Sequence, residues 1–309
     1  MSLIHLDGVS KSFGDTRALS NVTFAVPEGQ IVGFIGPNGS GKTTAILTIL
    51  GFYRPDEGSV SVLGHDPLTE WPAIGRDIGV SLEHQGLQDA LTATESLRFF
   101  AGLLRVPRAD INERVAAALA TVGMTAHAGV RLRGFSKGMR QRIVLARCLL
   151  KAPRCLILDE PFDGLDVEAR RVITGVLTKM AANGVGVFVT SHDLHEVDRL
   201  CHHVVIVDRG RVVAADSPRC IRRAATHGRT LLIDVGSMPA GLDLEQLVAG
   251  TDFDAGRRQL RVDLGACGRA REAVLRDLID MGVSVEAARM EEASLEDAFL
   301  ALTHGGDRP

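Results

Sequence analysis

Gly36-Pro37-Asn38-Gly39-Ser40-Gly41-Lys42-Thr43-Thr44 is the stretch on which the reading of this chain turns. It follows Ile31 to Ile35, a short β-branched apolar run that predicts a buried strand. Thr44 to Leu50 predicts a helix, closed by Gly51. Strand, glycine loop and helix together are the setting in which a phosphate-binding loop (P-loop) works. The glycines bare successive backbone N–H groups, and the helix N-terminus adds partial positive charge, so the loop can wrap an anion. Lys42 supplies a point charge for the outer phosphates, and Thr43 offers a hydroxyl to Mg²⁺. A nucleoside triphosphate, or at least a polyphosphate, is therefore expected on residues Gly36 to Thr44.

The 309 residues allow one large domain and a smaller one. With 45% hydrophobic and 24% charged residues, the balance is that of a soluble globular protein with a sizeable core. A formal net charge of −3 provides no basic field for nucleic acid, and no nucleic-acid partner is expected. Arg222-Arg223 and Arg257-Arg258 read as solvated clusters. The five cysteines lack CxxC spacing, which predicts free thiols of a reducing compartment and no zinc site. Met1 to Asp7 lacks the basic start and apolar run of a signal peptide. No uncharged apolar stretch approaches the ~20 residues of a membrane helix, so a membrane role would come through a partner.

Residues 3–9 and 19–26 predict two antiparallel strands on either side of Gly14-Asp15, with Phe13 in the turn. An aromatic ring there has two uses, stacking on a purine or plugging the sheet edge. Ser59 to Leu63 and Ile78 to Leu82 predict further strands, the latter ending in the polar Glu83-His84-Gln85. Residues 92–128 carry helical periodicity and suggest a helical insertion. In Phe135-Ser136-Lys137-Gly138-Met139, Ser136 can cap the next helix, and Gly138 lets its backbone approach a ligand.

Cys155 to Leu158, between two prolines, predicts a central parallel strand covered on both faces. Asp159 and Glu160 stand at its carboxyl end. In a chain with a P-loop, Asp159 suits the Mg²⁺ shell and Glu160 suits orienting and polarising an attacking water. Asp166 opens a helix running to about Ala182. Gly186 to Thr190 predicts a strand that delivers His192 to the same sheet edge. Val204 to Val207 and Arg211 to Ala214 form a hairpin. Ser217 to Gly228 reads as a basic linker. Beyond it, strands at 230–235, 259–264 and 283–287 and helices at 269–281 and 294–302 suggest a small α+β unit for capping, dimerisation or docking.

Taken in order, Phe13, the P-loop, Glu83, Ser136-Lys137-Gly138, Asp159-Glu160, Asp166 and His192 resemble the ATP-binding cassette, the ATPase subunit of ABC transporters, over the first 215 or so residues. The resemblance implies a P-loop α/β core with an antiparallel β subdomain. The cassette would span residues 1–222 with a helical insertion at about 90–135, followed by an accessory α+β domain at 223–309. It implies ATP as substrate and Mg²⁺ as cofactor, held by Thr43, Glu83 and Asp159. It assigns adenine stacking to Phe13, the catalytic base to Glu160, γ-phosphate contact to His192 and phosphate binding to Lys42. Ser136, Lys137 and Gly138 match the signature motif that faces the ATP of an opposite subunit, and Asp166 matches the D-loop.

The implied assembly is a head-to-tail homodimer on a separate integral-membrane permease, which places the chain in the cytoplasm on the inner face of the membrane. In the family the permease docks in the groove between helical insertion and core. The signature reads Phe135-Ser136-Lys137-Gly138-Met139 where the family's usual form is Leu-Ser-Gly-Gly-Gln, and Glu83 stands where the family carries glutamine. Both variants, and the tail Ser294 to Thr303, are similar to ATPases of ABC-2-type drug and antibiotic exporters. Two other readings are a weakly hydrolysing nucleotide switch and a soluble ABC protein outside transport.

Overall fold

The structure is a computed structural model that describes residues 2–82, 86–226, 230–239, 251–254, 256–264, 268–290 and 294–304. Glu83 and Gln85 lie outside the described residues, as does Cys267. Chain packing divides the molecule into two units, Met1–Pro218 and Arg219–Pro309.

In the first unit, β1 (Ser2–Phe13) and β2 (Thr16–Pro27) pair antiparallel across Gly14-Asp15. Both strands run longer than the apolar pattern suggests. Phe13 closes β1 opposite Thr16 and is not part of the turn. β3 (Ile31–Ile35) follows, and all five of its residues are buried. Helix α1 (Lys42–Ile49) begins two residues before the expected Thr44. Its N-cap Gly41 has φ 105°, a left-handed turn that only glycine makes cheaply. An added Cβ there would lie 2.4 Å from the Ala18 carbonyl oxygen. The helix therefore starts at Lys42, and Lys42 and Thr43 both sit in its first turn.

β4 (Glu57–Val62) joins β1 to complete a three-stranded antiparallel sheet of order β2-β1-β4. A single turn, α2 (Trp71–Ile74), precedes β5 (Ile78–Ser81). The helical insertion contains α3 (Ala93–Leu103) and α4 (Ile111–Thr121). Thr92 and Glu95 form a reciprocal capping box at the start of α3. Then come α5 (Lys137–Leu149), β6 (Cys155–Asp159), α6 (Val167–Ala182), β7 (Gly186–Ser191), α7 (Leu194–Leu200), β8 (His203–Asp208) and β9 (Arg211–Asp216).

The second sheet has six strands in the order β5-β6-β7-β3-β8-β9, parallel except for β9. Every residue of β6 and β7 is buried, which explains their apolar runs Cys155 to Leu158 and Val187 to Val189; the polar Asp159, Thr190 and Ser191 fall only at the carboxyl ends. The main core is shared by both sheets and α1. Phe24 of β2 stacks on Phe188 of β7 at 5.4 Å, and Phe34 of β3 tilts against Phe188 at 5.8 Å. Each such pair adds about 0.5–1.5 kcal/mol beyond its area burial.

The basic stretch after Ser217 is a helix, α8 (Pro218–Thr226), where a linker is expected from composition. Pro218 fits a first helical turn, Ile221 is buried, and arginine and alanine are strong helix formers. The second unit contains β10 (Thr230–Ser237), β11 (Thr251–Asp254), β12 (Gln259–Asp263), α9 (Arg271–Asp280), β13 (Ser284–Met290) and α10 (Leu295–His304). Its antiparallel sheet has the order β11-β12-β10-β13. Strand β11, half acidic, is not signalled by hydrophobicity; backbone pairing with β12 makes it a strand. Leu231, Ile233, Leu260, Val262, Val274 and Leu278 fill a separate core. Among the described residues, no helix is long and apolar enough to cross a membrane.

Candidate functional site

Strands β6, β7 and β3 are consecutive and parallel, so their carboxyl ends open on one edge of the sheet. β3 runs into the P-loop, β6 into Glu160 and β7 into His192. That edge carries a cavity of about 800 Å³, lined by P-loop residues with Asp159, Glu160 and His192. Three stretches spread over more than 150 positions of sequence thus meet where ligands of open α/β sheets bind.

Lys42 is buried, and its ammonium donates to the carbonyls of Gly36 at 2.8 Å and Pro37 at 3.3 Å. It also stands 3.5 Å from Oε1 of Glu160. Glu160 adopts φ 44°, which is unusual for a residue with a long side chain. Its carboxylate meets His192. His192 Nδ1 lies 2.9 Å from Glu160 Oε2, and the His192 backbone N–H donates to the same oxygen at 3.2 Å. Thr190 is fully buried in β7 and locks the acid pair. Its hydroxyl donates to Asp159 Oδ1 at 2.5 Å and accepts from the Glu160 N–H at 3.1 Å.

The residues fit a magnesium ion that shares its shell with phosphate. The Thr43 hydroxyl, on the first turn of α1, and Asp159 both line the cavity. Among the described residues, no group of three or more histidine, cysteine or acidic side chains would hold a metal alone. Two hard oxygen donors beside a P-loop are what Mg²⁺ uses when phosphates and water supply the rest.

Phe13 does not line the cavity. The residue is 44% exposed, and its ring meets Tyr53 edge-on at 5.0 Å, with the Lys11 ammonium 5.6 Å from the ring centroid. Ser136 caps α5 by accepting the Met139 N–H at 3.2 Å. Gly138 is needed for packing: a Cβ there would lie 2.6 Å from Cβ of Ala169 on α6. Neither Ser136 nor Gly138 lines the cavity, whereas Lys137 does. The Lys137 ammonium bonds Asp163 at 2.7 Å, and this hydrogen bond holds the Asp163 carboxyl below its ordinary range. Asp166 caps α6 through the Ala169 N–H at 2.7 Å.

Several cavity residues escape a reading by motif. Arg17, Gln141, Asp163 and Arg209 reach the cavity, and Thr190 bridges the acids from beneath. None sits in a distinctive local pattern. Thr190 carries the one available signal, a hydroxyl that with Ser191 ends an otherwise apolar strand.

Residues 19–163 match the family described as ABC transporter. The chain is 31% identical over 307 residues to the daunorubicin resistance ATP-binding protein DrrA3 of Streptomyces coeruleorubidus, across 99% of this chain and 96% of that protein. It is 34% identical over 217 residues to Nod factor export ATP-binding protein I of Cupriavidus pinatubonensis, across 70% of this chain and 67% of that protein. Among solved structures, the dimeric post-hydrolysis state of the ATP-binding cassette MJ0796, bound to ADP and Pi, superposes with a TM-score of 0.61. That match has 25% identity and covers 69% of this chain and 98% of the other.

Proposed function

The chain belongs to the ABC transporter family as one of its ATP-binding cassettes, and from this we propose that it is the ATP-hydrolysing subunit that drives export through a separate ABC-2-type permease. The observation that carries the reading is the meeting of Lys42, Glu160 and His192 on one cavity edge. The names of the relatives, drug resistance and Nod factor export, point the transport outward.

In this reading the P-loop amides and Lys42 hold the phosphates of ATP. Thr43 and Asp159 hold Mg²⁺, which neutralises charge on the phosphate oxygens when bound. Glu160 takes a proton from water as the water oxygen attacks the γ-phosphorus. The bond to the β,γ-bridging oxygen breaks, and ADP leaves with that oxygen. His192 is held against Glu160 and contacts the γ-phosphate. Phe13 leaves Tyr53 to stack on adenine.

Ser136 and Gly138 do not line their own subunit's cavity and are assigned to the nucleotide of a second copy, with Asp166 at the same seam. Hydrolysis then requires a head-to-tail dimer and is coupled to its opening. The permease docks between helical insertion and core, where a hollow of about 890 Å³ is lined by Trp71, Phe100, Leu103 and Arg147. Residues 223–309 are assigned an accessory docking or dimerisation role.

Phosphate release from ATP, measured with light scattering on the same sample, tests the proposal. Turnover is expected to rise with dimer fraction and to vanish in Lys42→Ala. Full-speed hydrolysis by a strictly monomeric sample would overturn the shared-site mechanism.

A further inference from the structure

Arg170 lies on the first turn of α6, outside the cavity and outside every motif. Its guanidinium nevertheless reaches two loops that carry assigned residues. Nε donates to the Leu165 carbonyl at 3.1 Å, one residue before Asp166. Nη1 donates to Asp193 Oδ2 at 2.6 Å, one residue after His192, and stands 3.6 Å from Glu196 Oε1. Arg170 and Asp193 are each 29% exposed, so water screens this contact less than it screens a surface pair.

Asp193 is itself fixed in place. It caps α7 by accepting the Glu196 N–H at 3.2 Å, and its own N–H donates to Ser191 Oγ at 2.9 Å. Partial burial pushes its carboxyl up. The backbone donors and Arg170 outweigh that effect and leave it below its ordinary range. A planar guanidinium can satisfy a carbonyl and a carboxylate in divergent directions from one rigid group; a lysine ammonium reaches one of them.

We propose that Arg170 is a positioning residue: by bonding Leu165 and Asp193 at once, it holds His192 at hydrogen-bond distance from Glu160 and ties the His192 loop to the Asp166 loop. The inference rests on the roles given to Glu160 and His192 under Proposed function. Arg170 acts through the Leu165 carbonyl and the Asp193 carboxylate and does not touch the reacting atoms. A drift of a fraction of an ångström at His192 would misalign the pair, while the P-loop, built from other elements, would stay in place.

The test uses the full chain with Arg170→Met, Arg170→Lys and Asp193→Asn, the last keeping the helix cap while removing the charge. Two quantities are read, steady-state ATP turnover with ATP affinity, and the ¹⁵N shifts of the His192 ring without nucleotide. Arg170→Met is expected to lower kcat about 10- to 100-fold while ATP affinity changes less than about threefold. Arg170→Lys should recover part of the loss through Asp193, and Asp193→Asn should fall between. The His192 ring shifts should move in Arg170→Met while those of His5, on β1, stay fixed.

A folded Arg170→Met protein with wild-type kcat would overturn the inference, as would a loss of kcat matched by an equal loss of affinity. Unmoved His192 shifts would overturn it whatever the turnover. Wild-type protein that does not hydrolyse ATP would count against the assigned function, and the ring shifts would still decide the role of Arg170.

Discussion

His192 contacts Oε2 of Glu160 twice, through its ring nitrogen at 2.9 Å and its backbone N–H at 3.2 Å. The carboxylate that would accept a proton from water is thus held by the residue that would touch the γ-phosphate. Lys42, 3.5 Å from the other carboxylate oxygen, completes a chain of contacts from the P-loop to β7. Glu160→Gln keeps the shape and the contact with the His192 N–H but cannot take the proton. Turnover is expected to fall about 10²- to 10⁴-fold, the usual worth of a general base. Nucleotide affinity should be retained, as checked by fluorescent-nucleotide titration beside phosphate release. Wild-type turnover in this variant would remove Glu160 from the role.

Phe13 meets Tyr53 edge-on and has the Lys11 ammonium over its ring, with nearly half of its surface open to solvent. If the ring stacks on adenine, Phe13→Ala should raise KM for ATP about 2- to 10-fold, the equivalent of about 0.5–1.5 kcal/mol. kcat should change little. A lowered Tm with unchanged KM would instead assign the ring to the sheet edge.

Lys137 and Asp163 are both more than half exposed. A double-mutant cycle on Lys137→Gly and Asp163→Asn, followed by urea unfolding, should give a coupling energy below about 1 kcal/mol that shrinks with added salt. A coupling above about 2 kcal/mol would show that the pair is a structural clamp.

Burial pushes the Cys148 thiol up from 9.0 to about 11 and the Cys155 thiol up to about 12, and raises Cys201 further. Cys220 is exposed. At pH 8, peptide mapping after brief alkylation should find Cys220 modified and these three protected until the protein unfolds. In the folded state the buried thiols keep their protons above pH 9, whereas in the unfolded state they ionise. The folded protein therefore binds more protons there, and stability should fall as pH rises from about 9 through 11 and 12. Urea midpoints measured across that window check the sign.

Local patterns carried much of the fold. Buried β3, β6 and β7 are legible because a strand covered on both faces carries a near-continuous apolar run, here broken only at the carboxyl ends of β6 and β7. Helix α8 and strand β11 were not legible in the same way. The basic composition of α8 masks its apolar anchor at Ile221, and β11 owes its form to pairing with β12. Thr190 and Arg170 belong to no motif, because a residue that supports others is defined by what it reaches in space.

By itself the sequence determined that a P-loop sits between a strand and a helix, that two acids close a buried strand, and that a histidine closes another. These follow from short-range rules, since φ preference, periodicity and capping act within a few residues. Only the tertiary structure decided that β6, β7 and β3 lie side by side, that Glu160 turns toward His192, and that Arg170 spans two loops. Strand order and side-chain reach depend on packing between segments far apart in the chain, which no local pattern encodes.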